Sequence, residues 1–454
     1  MDFKGKKVLV FGAGKSGIGA CSLLTKLGAK PVLYDSNAKA DRDAIRARLG
    51  SSCNETEIIL GDLPEEILDS LDLVVMSPGV PLDIPPVEAM KAKGIRIWGE
   101  VELAYRAGAG KVLAVTGTNG KTTTVSLLGK IMSDYYPEVF VVGNIGNPYT
   151  EASLSMTEKS WTAAEISSFQ LETIEAFHPL GSAITNITED HLNRHHTMAE
   201  YIRVKERIAE NQTGSDFCVL NYEDPVLREF AGKVSCRVVF FSGLRRLKEG
   251  LYLENGTIYL AENGQTVPVV RTEELQILGR HNYENVMTAA GLAYYAGVPV
   301  ENIRKSAMEF KGVAHRIEFV LEKDGVRYYN DSKGTNPDAA IKGIQAMNRP
   351  TLLIGGGFDK ESSYDEWINS FDGKVKFFAL IGQTKEKIRD AAVKCGFPEE
   401  RIAFFDNLEE AVKGCHAKAA AGDAVLLSPA CASWGQFDNY EQRGDMFKAY
   451  VRAL

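Results

Sequence analysis

The sequence predicts an α/β protein of three domains, and three observations carry that expectation. Short apolar runs alternate with helix-compatible segments along most of the chain, the rhythm of parallel sheets built from βαβ units. Glycine-rich strand-to-helix turns occur twice, at "FGAGKSG" and "TGTNGKTT". At 454 residues the chain is too long for one core, and the strand rhythm restarts after residue 312.

In order, "KVLVFG", "PVLYD", "EIIL", "LDLVVMS" and "IRIWG" read as strands of a Rossmann-like N-terminal domain, residues 1–107. "RAGAGK", 106–111, is small and glycine-rich, a linker and candidate hinge. A central P-loop-type ATPase domain, 108–312, starts with strand "KVLAVTG" and helix "KTTTVSLLGKIM" and continues through "VFVVGN", "WTAAEIS" and "GSAITNI". Within it, "LYLENGTIYL" sets Asn255-Gly256 between alternating runs, the chemistry of a tight hairpin, so a small antiparallel element is expected to decorate this domain. After a second candidate hinge at 311–314, "VRYYND", "TLLIGGG", "VKFFALIG", "RIAFF" and "DAVLLS" predict a C-terminal Rossmann-like domain, 313–454.

With 44% hydrophobic and 25% charged residues the chain reads as soluble and globular, and its net charge of -8 disfavours nucleic-acid or anionic-membrane partners. No apolar run reaches membrane-spanning length and no signal peptide precedes the first strand, so a cytoplasmic protein, expected to be monomeric, is the reading. Seven cysteines, odd in number and without a C-x-x-C pair, suggest reduced thiols.

Gly12-x-Gly14-x-x-Gly17, with Asp35 ending the next strand, is close to a dinucleotide-binding fingerprint, and alone it suggests an NAD-dependent dehydrogenase. The second turn competes with that reading. Gly117, Thr118, Asn119, Gly120, Lys121, Thr122 and Thr123 form a P-loop variant, with Val115 where the usual motif has its first glycine. A plain turn with a surface lysine would use the same residues. Yet a lysine at a helix start opposes the helix dipole unless an anion is to be bound there, and ATP is the better reading.

Downstream, Glu165 ends a strand, His191 follows another and Lys205 lies on the next helix. His191 and His195 are four apart, so a zinc pair competes. No H-E-x-x-H glutamate or cysteine accompanies them, and the hydroxyl and carboxylate groups nearby suit magnesium better. His195 and His196 read as solvated loop histidines; alone, Glu165 would be a buried acid and Lys205 a surface lysine.

"TGTNGKTTT", "EISSFQLE", "TNITEDHLNRH", "KERI", "GRHNYENVMTAA", "AHRIEFV", "NDSKGTNPDA" and "LSPACASWGQFDNYEQRG" occur in the order of the Mur ligases, and the chain resembles that family over essentially its whole length. The "GAGKSG" unit and the "SPACAS" tail favour the branch that adds D-glutamate. The resemblance implies an ATP-dependent ligase of peptidoglycan precursor synthesis. In it the L-alanine carboxylate of UDP-N-acetylmuramoyl-L-alanine takes the γ-phosphate, and the D-glutamate amine displaces phosphate from the acyl phosphate.

It also implies site residues. Two magnesium ions would be held by Thr122, Glu165, His191 and Lys205, the lysine carbamylated, with Lys121 neutralising the phosphates. Asn282 and Asn285 would lie near adenine, while Arg316, Asp331 and Lys333 would reach ribose and phosphates. Asn144 and His191 would face the muramoyl-alanine part, and Thr335, Lys360, Ser433 and Tyr440 the D-glutamate. Trp434-Gly435 stands where the family pattern has a smaller aliphatic residue and an acid, and Tyr440 where it has Phe. With ATP assigned to the second turn, the first is read as the UDP site: Gly14, Lys15 and Ser16 for the diphosphate, Asp35 and Ser36 for uracil or ribose, Ser77 and Gly79 at the pocket edge.

Overall fold

A computed structural model describes residues 2–144 and 147–454. Three sheets carry the architecture. The N-terminal sheet has five parallel strands in the order Glu57–Leu60, Lys30–Asp35, Lys7–Phe11, Leu73–Met76, Ile97–Gly99. That is the doubly wound order, with its switch point between the first strand and the fourth, where the glycine turn leaves the sheet. Val8, Leu9 and Val10 are fully buried because helices cover both faces, which is why the run reads as continuously apolar.

The central sheet has nine strands. Lys111–Thr116 lies between Gly181–Ile184 and Trp161–Glu165, and all three are parallel. Beyond Gly181–Ile184 come Phe217–Asn221 and Arg237–Ser242, also parallel, which the sequence reading did not identify as strands. The expected hairpin is present: Glu254 pairs with Thr257 antiparallel, and Asn255 (φ 49°) and Gly256 (φ 72°) both take the left-handed conformation its turn requires. It is no separate decoration, however. Its first strand, Gly250–Glu254, adds parallel to Arg237–Ser242 and continues the same sheet.

The "RAGAGK" segment is less of a linker than its composition suggests. Arg106 and Ala107 end the helix Glu100–Ala107, and the buried Glu102 carboxylate of that helix accepts hydrogen bonds from the backbone N–H groups of Glu175, Ala176 and Phe177. A buried charge is tolerable there because three amides and Arg106 (2.5 Å) compensate it.

The C-terminal sheet has six strands in the order Glu318–Lys323, Val326–Asn330, Ala424–Leu427, Thr351–Gly355, Val375–Leu380, Ile402–Phe404. All neighbours are parallel except the first pair, whose antiparallel edge strand was not expected. By contacts the chain forms two compact units: Met1–Val269 with Glu284–Ser306, and Val270–Tyr283 with Ala307–Leu454. Among the described residues no helix is long and apolar enough to cross a membrane.

Candidate active site

In the first unit the glycine turn is shaped by contacts that only glycine allows. Gly12 has φ +103°, and a Cβ on Gly17 would stand 1.8 Å from the Gly12 carbonyl oxygen. The helix Lys15–Lys26 starts here with exposed Gly14 at its N-cap and no acid in its first turn, so its amide dipoles face solvent unopposed. Asp35, expected to recognise uracil or ribose, spends its carboxylate on the turn itself. It accepts from the backbone N–H of Ala13 (2.8 Å) and of Asn37 (3.0 Å). Ser77 is buried and donates to the Gly12 carbonyl (3.3 Å), while Lys15, Ser36 and Gly79 are exposed and Ser16 is half-buried.

The second turn is held more tightly. Gly117 has φ +141° with Thr185 against it, and Gly120 has φ +87° with the Asn285 amide against it. The Thr118 hydroxyl accepts from the backbone N–H of Thr188 (3.0 Å) and lies 3.1 Å from the Tyr201 hydroxyl. Asn186 accepts from the Asn119 N–H (2.9 Å), and Thr185 donates to the Asn119 carbonyl (2.6 Å). Thr122 and Thr123 sit half-buried in the first turn of the helix Lys121–Ser133. Asn285, read as an adenine neighbour, packs on this loop and accepts from the buried Thr124 hydroxyl (3.3 Å).

Two cations converge on one oxygen. Lys121 donates to the Gly117 carbonyl at 2.8 Å, and so does Lys205, also at 2.8 Å. Lys205 is 1% exposed, with its ammonium 4.7 Å from the centre of the Tyr201 ring. It is therefore no surface lysine: burial first, and the neighbouring Lys121 charge second, push its pKa down to about 7.

Glu165 is likewise buried. One carboxylate oxygen accepts from the Asn144 amide (2.9 Å), while the other has no hydrogen-bond partner among the described residues. An orphaned buried carboxylate oxygen is costly unless a cation completes it. A carboxylate oxygen of that kind is the donor type hard cations prefer. Among the described residues, three ready-made His, Cys, Asp or Glu ligands do not come together.

His191 is a left-handed residue (φ 53°), with a half-exposed ring 3.5 Å from Asp190 and packed on Phe169. His195 corrects the expectation of a solvated loop residue. It is buried, lies 3.0 Å from the Ser168 hydroxyl and 3.5 Å from Glu172, and packs on Phe169 and Tyr201. Both ring nitrogens thus have partners, which does not favour the zinc pair. His196 is exposed and meets Asp83 (3.0 Å). Between them Arg194 donates to the Val80 carbonyl (2.8 Å) and to Glu172, tying the turn after Ser77 to the His191 segment.

In the second unit Asn282 donates to the Leu278 carbonyl (2.7 Å) just before its helix, and Arg316 is exposed between two left-handed residues, His315 and Ile317. Asp331 is buried and accepts from the Ser428 hydroxyl (2.7 Å); burial drives its pKa up to about 7 despite that bond. Arg443, fully buried and not foreseen, donates to the Ser332 hydroxyl and carbonyl and to the Cys431 carbonyl. It thereby gathers the loop carrying Lys333 and half-buried Thr335 with the loop carrying buried Ser433. The Lys333 ammonium stands 5.2 Å from the Tyr440 ring centre, and that of Lys360 5.3 Å from the Trp434 ring centre.

Residues 6–99 match the Mur ligase MurD-like N-terminal domain, 115–293 the Mur ligase middle domain and 315–431 the Mur ligase glutamate ligase domain. UDP-N-acetylmuramoylalanine–D-glutamate ligase of Lachnoclostridium phytofermentans is 53% identical over 454 residues, covering 100% of this chain and 99% of its own. The chain belongs to the Mur ligase family. The ligase of the same name from Lachnospira eligens is also 53% identical, with both chains covered in full, and one from a Thermoanaerobacter species is 48% identical over 455 residues. Among solved Mur ligases, the UDP-N-acetylmuramate-alanine ligase MurC of Thermotoga maritima superposes with a TM-score of 0.57 at 18% identity, covering 99% of both chains. At that identity the likeness speaks for the fold, a three-domain α/β Mur ligase fold with mixed sheets.

Proposed function

We propose that this chain is the ATP-dependent, ADP-forming ligase that adds D-glutamate to UDP-N-acetylmuramoyl-L-alanine. The observation that carries the reading is the pair of lysines on the Gly117 carbonyl beside a P-loop built as in nucleotide sites, in a chain 53% identical end to end to ligases of that name.

The chemistry brings a carboxylate onto a triphosphate, two anions that repel. Lys121 and the amides of the 117–123 turn neutralise the phosphates and hold the γ-phosphate for attack. Glu165, Thr122, His191 and Lys205 would hold magnesium, which supplies charge neutralisation of the phosphoryl oxygens when bound. A Lys205 amine neutral near pH 7 is nucleophilic toward CO2, and its carbamate would turn a cation into a carboxylate ligand. Asn144 orients Glu165 through the amide bond already made.

For the other substrate, the helix N-terminus at Gly14–Ser16 meets the diphosphate of the UDP moiety. Asp35 and Ser77 act by holding the turn in shape. In the second unit Lys333, Arg316 and Asp331 serve ATP, and Thr335, Ser433, Tyr440 and Lys360 serve D-glutamate. The amine of that amino acid attacks the acyl phosphate, and inorganic phosphate leaves. The domains of the reading remain 1–107, 108–312 and 313–454, and the setting is the cytoplasm.

The experiment is a matrix of UDP-muramoyl precursors against L-alanine, D-glutamate and diamino acids, scored by phosphate release. Turnover confined to UDP-N-acetylmuramoyl-L-alanine with D-glutamate is expected. Turnover with another pair moves the chain to a different branch of the family. NADH binding without ADP formation would restore the dehydrogenase reading.

A further inference from the structure

The second unit displays two large aromatic side chains on its surface, side by side. Trp434 is 55% exposed and Phe358 38%, with their rings edge to face at 5.7 Å. They belong to different loops, which the backbone joins: the Phe358 N–H donates to the Ala432 carbonyl at 2.9 Å, an isolated antiparallel bridge. Gly435, at φ +89°, turns the chain immediately after Trp434. The Trp434 face carries the Lys360 ammonium at 5.3 Å. Asp359, the adjacent acid, is bound by Lys387 at 3.0 Å, and among the described residues Lys360 forms no ion pair.

These facts combine in one direction. A lysine neutralised by a protein carboxylate is a poor receptor for another carboxylate. A lysine laid on an aromatic face is fixed in place while its N–H donors on the far side stay open. Indole also shields one side of the ammonium from water, strengthening its attraction for an anion on the other. Two exposed aromatic rings beside an uncompensated cation suit a ligand with a short aliphatic chain ending in an anion.

We propose that Trp434, propped by Phe358, is a positioning residue that presents Lys360 to the side-chain carboxylate of the incoming amino acid and so favours dicarboxylic over neutral amino acids. The inference rests on the reading of Lys360 as a D-glutamate residue; the role given to Trp434 and Phe358 goes beyond it.

The test uses the full chain. Trp434→Ala is expected to raise the KM for D-glutamate roughly fivefold, with kcat and the KM values for ATP and UDP-N-acetylmuramoyl-L-alanine kept, whereas Trp434→Phe shifts it about twofold. Lys360→Ala is expected to raise the same KM on the order of 30-fold. A second readout needs no turnover. Trp98, Trp161 and Trp367 are buried, so emission open to acrylamide belongs to Trp434. With the UDP precursor and a non-hydrolysable ATP analogue bound, D-glutamate should reduce that quenching.

An unchanged KM in Trp434→Ala and unchanged quenching, with Lys360→Ala still impaired, overturns the proposal and leaves the D-glutamate site standing. An unchanged KM in Lys360→Ala overturns both. Should Trp434→Ala fail to fold, Trp434→Phe and the quenching measurement decide.

Discussion

The two compact units hold the lysines proposed for their sites in opposite ways. In the first, Lys121 and Lys205 share a backbone carbonyl, and Lys205 is buried where charge is disfavoured. In the second, Lys333 and Lys360 lie on the faces of Tyr440 and Trp434, and Lys360 is exposed. The contrast follows the chemistry each must serve. A group that is to lose its charge needs burial and a like-charged neighbour; one that is to greet an anion needs its charge kept and its donors open.

Removing the buried cation breaks the first half of that comparison and has the largest expected effect. Lys205→Ala should cost on the order of 10³-fold in phosphate release, because it would delete the group proposed to become a carboxylate ligand. A short carboxylic acid added at high concentration should restore part of the rate in Lys205→Ala and none in Lys205→Arg, whose guanidinium fills the space and stays charged. Full activity of Lys205→Ala without additive would exclude the carbamate.

The next effect compares the units through one buried acid in each. Glu100, with one oxygen orphaned among the described residues and the other held by Gln170, and Asp331 are both raised to about 7, burial being the main cause. A carboxyl whose folded pKa lies above its unfolded value stabilises the fold when protonated. That contribution is complete below about pH 4 and is lost as pH rises toward 7. For Glu100, raised from 4.5 to about 7, the loss is about 3.5 kcal/mol at about 1.4 kcal/mol for each unit. Calorimetry from pH 4 to 8 should show Glu100→Gln flattening the pH dependence of the first unit's transition and Asp331→Asn that of the second. Slopes equal to those of the unmutated protein would mean that both acids are ionised throughout.

Much of this was legible in the sequence, and the parts that were not share a cause. The hairpin at Asn255-Gly256 was readable because its turn chemistry is local. The strand "EFVLEK" was missed because an edge strand half-exposed along its length lacks a continuous apolar run. Both phosphate-type turns were readable as contiguous motifs. Tyr201, Asn186 and Arg443, which hold those or other loops in shape, act across long sequence separations and left only a polar letter in an otherwise unremarked segment. His195 was misread for the same reason: "HLNRHH" looks solvated until Ser168, Glu172 and Tyr201 close around one ring. Asp35 shows the converse, a correct motif residue whose carboxylate is already engaged by the turn it was expected to assist.

That engagement sets the third effect. Asp35→Ala removes two charge-assisted bonds to the backbone and should loosen the glycine turn, raising the KM for UDP-N-acetylmuramoyl-L-alanine about tenfold with kcat kept. UDP should compete with the precursor in the unmutated chain and more weakly in the variant. An unchanged KM would remove the first turn from the substrate site and leave the second as the one phosphate loop of the unit.

The smallest effect dissects Tyr201, which touches both the phosphate loop and the buried lysine. Its hydroxyl lies 3.1 Å from the Thr118 hydroxyl, and its ring lies under Lys205. Tyr201→Phe keeps the ring and loses one neutral hydrogen bond, while Thr118 keeps its bonds to the Thr188 backbone. The KM for ATP should therefore rise only about threefold, since one such bond is worth roughly 0.5–1.5 kcal/mol. Tyr201→Leu removes the aromatic face as well, so the charged form of Lys205 loses a favourable contact while the neutral form loses little. The rate–pH profile of Tyr201→Leu should accordingly shift toward lower pH relative to Tyr201→Phe, because the neutral amine is reached sooner. Coincident profiles for the two variants would show that the ring supports packing alone and that desolvation and Lys121 set the state of Lys205.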